Sequence, residues 1–195
     1  MSNALSMGAF ALASSITPGP VNIVALGASA QYGLRAGMRH VTGATVGFTL
    51  LLLPIGLGLH EFLNHWPNLT KSIQWAGVAF LIYMAYKLAV DDGRLGSDGA
   101  TKGPSWASGA AMQWLNPKAW LASLAGMGAF AANGDTMLVL RFCAIYFVIC
   151  YGSIACWAYA GARLHQHLRV PKQVRLCNRL MAFLLVGSAI YLVRA

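Results

Sequence analysis

Ser15-Ile16-Thr17-Pro18-Gly19-Pro20-Val21-Asn22-Ile23-Val24 interrupts an apolar run that extends from about Ala4 to Ala30. Each of the two prolines lacks an N–H, and each ring presses on the carbonyl one turn earlier. Gly19 between them tolerates backbone angles that other residues resist. A helix broken here leaves several carbonyls without intrahelical partners. In hydrocarbon each unpaired backbone group costs several kcal/mol, so such a break belongs inside protein or beside a watery cavity. The plainer alternative is a packing kink, since prolines are tolerated in membrane helices.

The surrounding chain supports the membrane setting. Of 195 residues, 57% are hydrophobic and only 10% are charged, against about a quarter charged in a soluble domain. That is too little polar surface to cover a water-facing globule. With about 20 apolar residues needed to cross a bilayer, six spans emerge: about Ala4–Ala30, Val41–Leu59, Leu69–Val90, Trp106–Ala132, Met137–Ala162 and Val174–Val193. A Gly/Ser-rich polar stretch, 91–105, reads as a loop and divides a single transmembrane domain, 1–195, into halves of three spans each. No basic residue precedes Arg35, so the N-terminus reads as an uncleaved span rather than a signal peptide.

The net charge of +9 follows from the same layout. Arg35, Arg39, Lys87, Arg94, Lys102, Arg163, Arg169, Lys172, Arg175 and Arg179 fall after spans one, three and five, whereas the other side carries Lys71, Arg141 and Arg194. The richer loops are cytoplasmic by the positive-inside rule, which puts both termini on the outer side. The basic total is explained without nucleic acid. Trp66, Trp106 and Tyr191 suit the interfacial belt.

Span four carries its own interruption, Asn116-Pro117-Lys118. An odd number of spans per half would insert the second half inverted relative to the first. Paired breaks in corresponding spans of two such halves point to a transporter and its substrate site. The fold expected is therefore all-α, six transmembrane helices in two inverted three-helix repeats, with helices one and four broken. Carbonyls freed at Pro18, Gly19 and Pro20 suit an ammonium group. The N-terminus of a half-helix suits a carboxylate. A zwitterionic amino acid presents both, and Asn22 adds an amide contact.

Lys118 is the one ionisable side chain well inside these expected spans, and a charge at that depth is costly unless it faces the bundle interior. It can bind a substrate carboxylate, carry a proton, or pin the carbonyls freed by the first break. Gln113, five residues earlier, is a weaker candidate. Gly43 and Gly47 form a small-xxx-small pair for close helix packing. Cys143, Cys150, Cys156 and Cys177 read as core hydrophobes. His60 and His65, and His165 and His167 in the last cytoplasmic loop, lack acidic or thiolate partners, so neither a metal nor another cofactor is expected. All five acids, Glu61, Asp91, Asp92, Asp98 and Asp135, lie in loops or at span ends, and no Ser-His-Asp or paired-carboxylate set fits the spans. An enzyme is not expected. A metal-cation exporter of the cadmium type and a non-transporting interaction protein remain the competing readings.

The stretches from Thr17 to Phe48, from Ile73 to Ala89 and from Gln113 to Gly126, with Asn178–Val193 at the end, resemble the lysine exporter (LysE/RhtB) family of bacterial amino-acid exporters. The similarity extends over essentially the whole chain, and the two proline elements about a hundred residues apart are its most specific part. The resemblance implies an inner-membrane efflux protein driven by the proton gradient or membrane potential. Its partners would be a small-molecule amino-acid substrate and the bilayer, with a homo-oligomer left open. By motif it carries Pro18, Gly19, Pro20, Asn116, Pro117 and Lys118 over to the site. Phe48 departs from the pattern, standing near a position where many relatives have an acid or histidine, which argues against a strongly cationic substrate.

Overall fold

The computed structural model describes residues 2–59, 103–131 and 135–167 continuously, with single positions within 72–90 and 172–190. The described residues are helical, without strands. Six α-helices follow in order: α1 (Ser2–Ile16), α2 (Pro20–Tyr32), α3 (Leu34–Pro54), α4 (Trp106–Trp114), α5 (Pro117–Phe130) and α6 (Thr136–His167), with a π-helical turn at Ile55–Leu59 after α3. Spans three and six fall mostly outside the described residues. So do Trp66, Tyr191, Cys177, His60, His65 and the loop 91–102.

Span one is broken where the sequence breaks it. α1 and α2 meet at 60° across Thr17-Pro18-Gly19. Pro20 opens α2, where its missing N–H costs nothing. Span four is likewise two helices, and Pro117 opens the second of them. Leu34–Gly58 and Thr136–Leu164 are each long and apolar enough to cross a membrane as single helices.

Two boundaries differ from the sequence reading. α3 begins at Leu34, not near Val41, because Gly33 turns the chain at φ +81° and helix resumes at once. Arg35 and Arg39 therefore lie on its first turns rather than in a loop, both exposed. At the other end α6 runs on to His167, so His165-Gln166-His167 is helix rather than loop.

In a bilayer, helices gain little from hiding apolar surface from one another, so shape and close approach decide their packing. α3 packs most extensively along α4 and also contacts α2 and α6, while α6 backs α1, α2 and α3. The α3–α4 seam is built of glycine. A Cβ at Gly43 would run into the Trp106 backbone, and one at Gly47 would lie 2.5 Å from Ala110 Cα. The fit is reciprocal, since a Cβ at Gly109 would lie 2.6 Å from the His40 carbonyl oxygen. The buried core continues from Met7 and Ala11 of α1 through Phe48 and Leu51 of α3 to Phe142, Tyr146 and Cys150 of α6. This frame brings the two breaks together.

Candidate functional site

A helix ends with carbonyls that have no intrahelical donor, and their partners can be followed one by one at the first break. Thr17 Oγ1 donates to the Ser14 carbonyl at 3.3 Å. Asn22 Nδ2 donates to the Ser15 carbonyl and to the Thr17 carbonyl, both at 2.9 Å. Trp157 Nε1 of α6 donates to the Ile16 carbonyl at 3.0 Å. Lys118 Nζ of α5 donates to the Thr17 carbonyl at 2.8 Å, to Thr17 Oγ1 at 2.7 Å and to the Pro18 carbonyl at 3.4 Å. Gly19 passes its carbonyl to Ile23 N–H at 2.9 Å, the first bond of α2. Donors from α2, α5 and α6 thus converge on a single break.

The second break is closed from within its own span. Asn116 caps α5, its Oδ1 accepting the Lys118 N–H at 3.1 Å. Trp120 Nε1 reaches back to the Trp114 carbonyl at 2.8 Å. α2, by contrast, has Gly19 at its N-cap and no side-chain cap, so its first N–H groups lack the partner that Asn116 gives α5.

Gly19 itself corrects the sequence reading. Its backbone is extended, at φ −169° and ψ 172°, a conformation open to any residue. What it contributes is the absence of a side chain. A Cβ there would touch Lys118 Nζ at 3.4 Å and would narrow the cavity that Gly19 lines.

That cavity is a partly open pocket of about 40 Å³ between the two breaks, room for roughly three water molecules. Ser14, Ser15, Gly19 and Asn22 line it from the first break, and Gln113, Asn116 and Lys118 from the second. Tyr146 and Cys150 come from α6, and Phe48 closes a wall by stacking on Tyr146 with ring centroids 4.4 Å apart. Ser15 Oγ is tied to Ser153 Oγ of α6 at 3.0 Å. Lys118 is the one charged side chain among the described lining residues.

Of the residues singled out in the sequence, Gly19, Asn22, Gln113, Asn116 and Lys118 line this cavity. Gln113 is buried there although its spacing from Lys118 did not demand a shared face. Pro18 contributes its carbonyl from outside the lining, and Pro20 and Pro117 set helix starts. Gly43 and Gly47 stand in the α3–α4 seam. Asn22 donates both of its amide contacts to carbonyls of the chain itself.

Sequence reasoning passed over Thr17, Ser14, Ser15, Tyr146 and Cys150. Tyr146, Cys150 and Ile154 recur every fourth residue, and that stripe on an apolar span was the available signal. His40 was passed over too, lying one residue before the expected start of span two. It is buried, with Nε2 3.2 Å from the Val21 carbonyl, and so ties α3 to the first turn of α2.

The double role of Asn22 sets a measurable cost. Asn22→Leu leaves the Ser15 carbonyl without its donor and the Thr17 carbonyl with Lys118 alone, a loss of about 2 kcal/mol. Thermal unfolding in detergent should fall accordingly. Asn22→Asp, which keeps the shape and removes the donors, should not restore it.

Comparison with known proteins gives this geometry a family. The LysE type translocator family matches residues 12–195. The cysteine/O-acetylserine efflux protein of Escherichia coli strain K12 is 30% identical over 187 residues, covering 93% of this chain and 92% of the relative. The protein of the same name from Shigella flexneri is similar to the same extent. No solved structure matches. The match takes in both breaks, the glycine seam and every described residue that lines the cavity, and on that extent the chain belongs to the LysE type translocator family.

Proposed function

We propose that this protein is an inner-membrane efflux transporter that exports a small amino acid or amino-acid derivative by alternating access, coupled to the proton gradient. The observation that carries the reading is the meeting of the two breaks at one cavity, where Lys118 bridges them beside the Asn22, Gln113 and Asn116 amides. Broken helices facing each other are what a substrate site in a membrane needs, because irregular backbone is tolerated only where it is buried or lines a cavity. The similar efflux proteins are named for cysteine and O-acetylserine, and these become the first cargo to test.

In this reading the carboxylate is held by Lys118 and by the uncapped start of α2. The ammonium takes the carbonyls of the first break. Polar groups are thereby paired at each end of a small zwitterion, while Phe48, Tyr146 and Cys150 leave a modest apolar space for its side chain. The two halves act as inverted repeats, with both termini on the outer side, and rocking of the bundle exposes the site to each face in turn. Nothing in this scheme requires bond chemistry, so the protein is a carrier rather than an enzyme.

The test uses inverted membrane vesicles and a panel of labelled amino acids that includes cysteine and O-acetylserine. At least one should accumulate when the vesicle lumen is acidified, and dissipating the pH gradient should abolish the accumulation. A panel in which nothing is transported would sink the reading. Accumulation indifferent to the gradient would remove proton coupling from it.

A further inference from the structure

An ammonium group has three donors and no acceptor, and all three polar contacts of Lys118 Nζ fall on the first break. They are the Thr17 carbonyl at 2.8 Å, Thr17 Oγ1 at 2.7 Å and the Pro18 carbonyl at 3.4 Å. These are the acceptors available to a substrate's amine. Among the described residues no carboxylate pairs with Lys118, and Asp135, the one acid they include, does not line the cavity. Among the described residues the site therefore holds a cation solvated by oxygen acceptors of the first break, with no anion beside it. It is also small, at about 40 Å³, so an amino acid that seats its amine on these acceptors must displace the Lys118 ammonium from them.

We propose that Lys118 occupies the amine subsite itself, as a tethered stand-in for the substrate ammonium, and that this makes the site select zwitterions over simple amines. The inference rests on the amino-acid reading above and adds how the site distinguishes its cargo. A zwitterion exchanges partners without creating an unpaired charge. Its ammonium takes the Thr17 and Pro18 carbonyls, and the displaced Lys118 moves to its carboxylate. An amine without a carboxylate can enter only by placing two cations in one poorly solvated cavity, where like charges repel strongly. A carboxylic acid without an amine can meet Lys118 but cannot replace it on the carbonyls. The displacement also opens the bridge between α5 and the first break, so cargo binding and release of the bridge are one event.

The experiment is ligand-dependent thermal stabilisation of the purified full-length protein in detergent, under reducing conditions. The probes are L-cysteine, cysteamine and 3-mercaptopropionate, which share a thiol and differ in their charged groups. Wild type should be stabilised by L-cysteine at least tenfold more potently than by either analogue. In Lys118→Met the carbonyls lose their tethered cation, and cysteamine should bind at least tenfold better than it does to wild type while L-cysteine weakens. Lys118→Gln keeps a neutral donor for the first break and should shift the same way, which covers a failure of Lys118→Met to fold. Equal binding of cysteamine and L-cysteine to wild type would overturn the proposal. So would folded variants that gain no cysteamine binding, or failure of both variants to fold, which would make Lys118 a structural pin. If wild type binds none of the probes and Lys118→Met gains cysteamine, the stand-in survives and cysteine as cargo is what falls.

Discussion

Lys118→Ala should sharply reduce export of the transported amino acid while the protein still inserts and folds. Each hydrogen bond to a charged group is worth about 1.5–3 kcal/mol, and about 1.4 kcal/mol is tenfold. Losing the ammonium proposed to receive the carboxylate should therefore cut transport about 10- to 150-fold. The fold should survive because the break does not depend on this residue alone. The Thr17 carbonyl keeps its bond from Asn22, and the Ser15 and Ile16 carbonyls keep theirs from Asn22 and Trp157. Uptake into inverted vesicles, normalised to inserted protein, reads the first effect, and the melting temperature in detergent reads the second. Wild-type transport by this variant would end the assignment of Lys118 to the site.

Gly43→Leu should do the opposite, removing the fold along with the activity. At this position the first side-chain atom already collides with the Trp106 backbone, and a backbone cannot turn aside as a rotamer can. Overpacking typically costs 1–3 kcal/mol and occasionally more. Here the loss should reach about 3 kcal/mol or beyond, because nothing flexible is present to absorb it. Gly152→Leu is the control, since a Cβ there meets nothing within 4 Å. Detergent melts should show a large fall for Gly43→Leu and little change for Gly152→Leu. Equal melting of the two would show that the seam is not tightly packed.

Much of this was legible in the chain because it consists of exceptions. In an apolar sequence a Pro-Gly-Pro element and an Asn-Pro-Lys element are departures whose physical cost demands a reason, so both breaks could be placed before any coordinates. The glycine pair of α3 was legible for the same cause. The partners at the breaks were not. Trp157 lies 141 positions from Ile16 and Ser153 lies 138 from Ser15, and no local pattern encodes such pairings. Tyr146 and Cys150 look like ordinary core residues until Phe48 and the first break are set beside them. Gly19 was misread because a glycine between prolines suggests an unusual torsion, whereas its backbone is extended and its use is to leave space. His40 was missed through a boundary, since its helix begins earlier than hydropathy alone indicates.

The glycine seam bears on how the protein can move. α3 comes from the first half of the sequence and α4 from the second, yet their backbones touch with no intervening layer of side chains. Two rods in such contact have little freedom to slide or tilt against each other, because every small displacement becomes a collision of main chains. If the bundle rocks as proposed, these two would travel as a single beam. The line between moving parts would then cut across the line between sequence halves, leaving the bent first span and α5 to supply the travel. Sequence and machinery would thus divide the same chain in two different places.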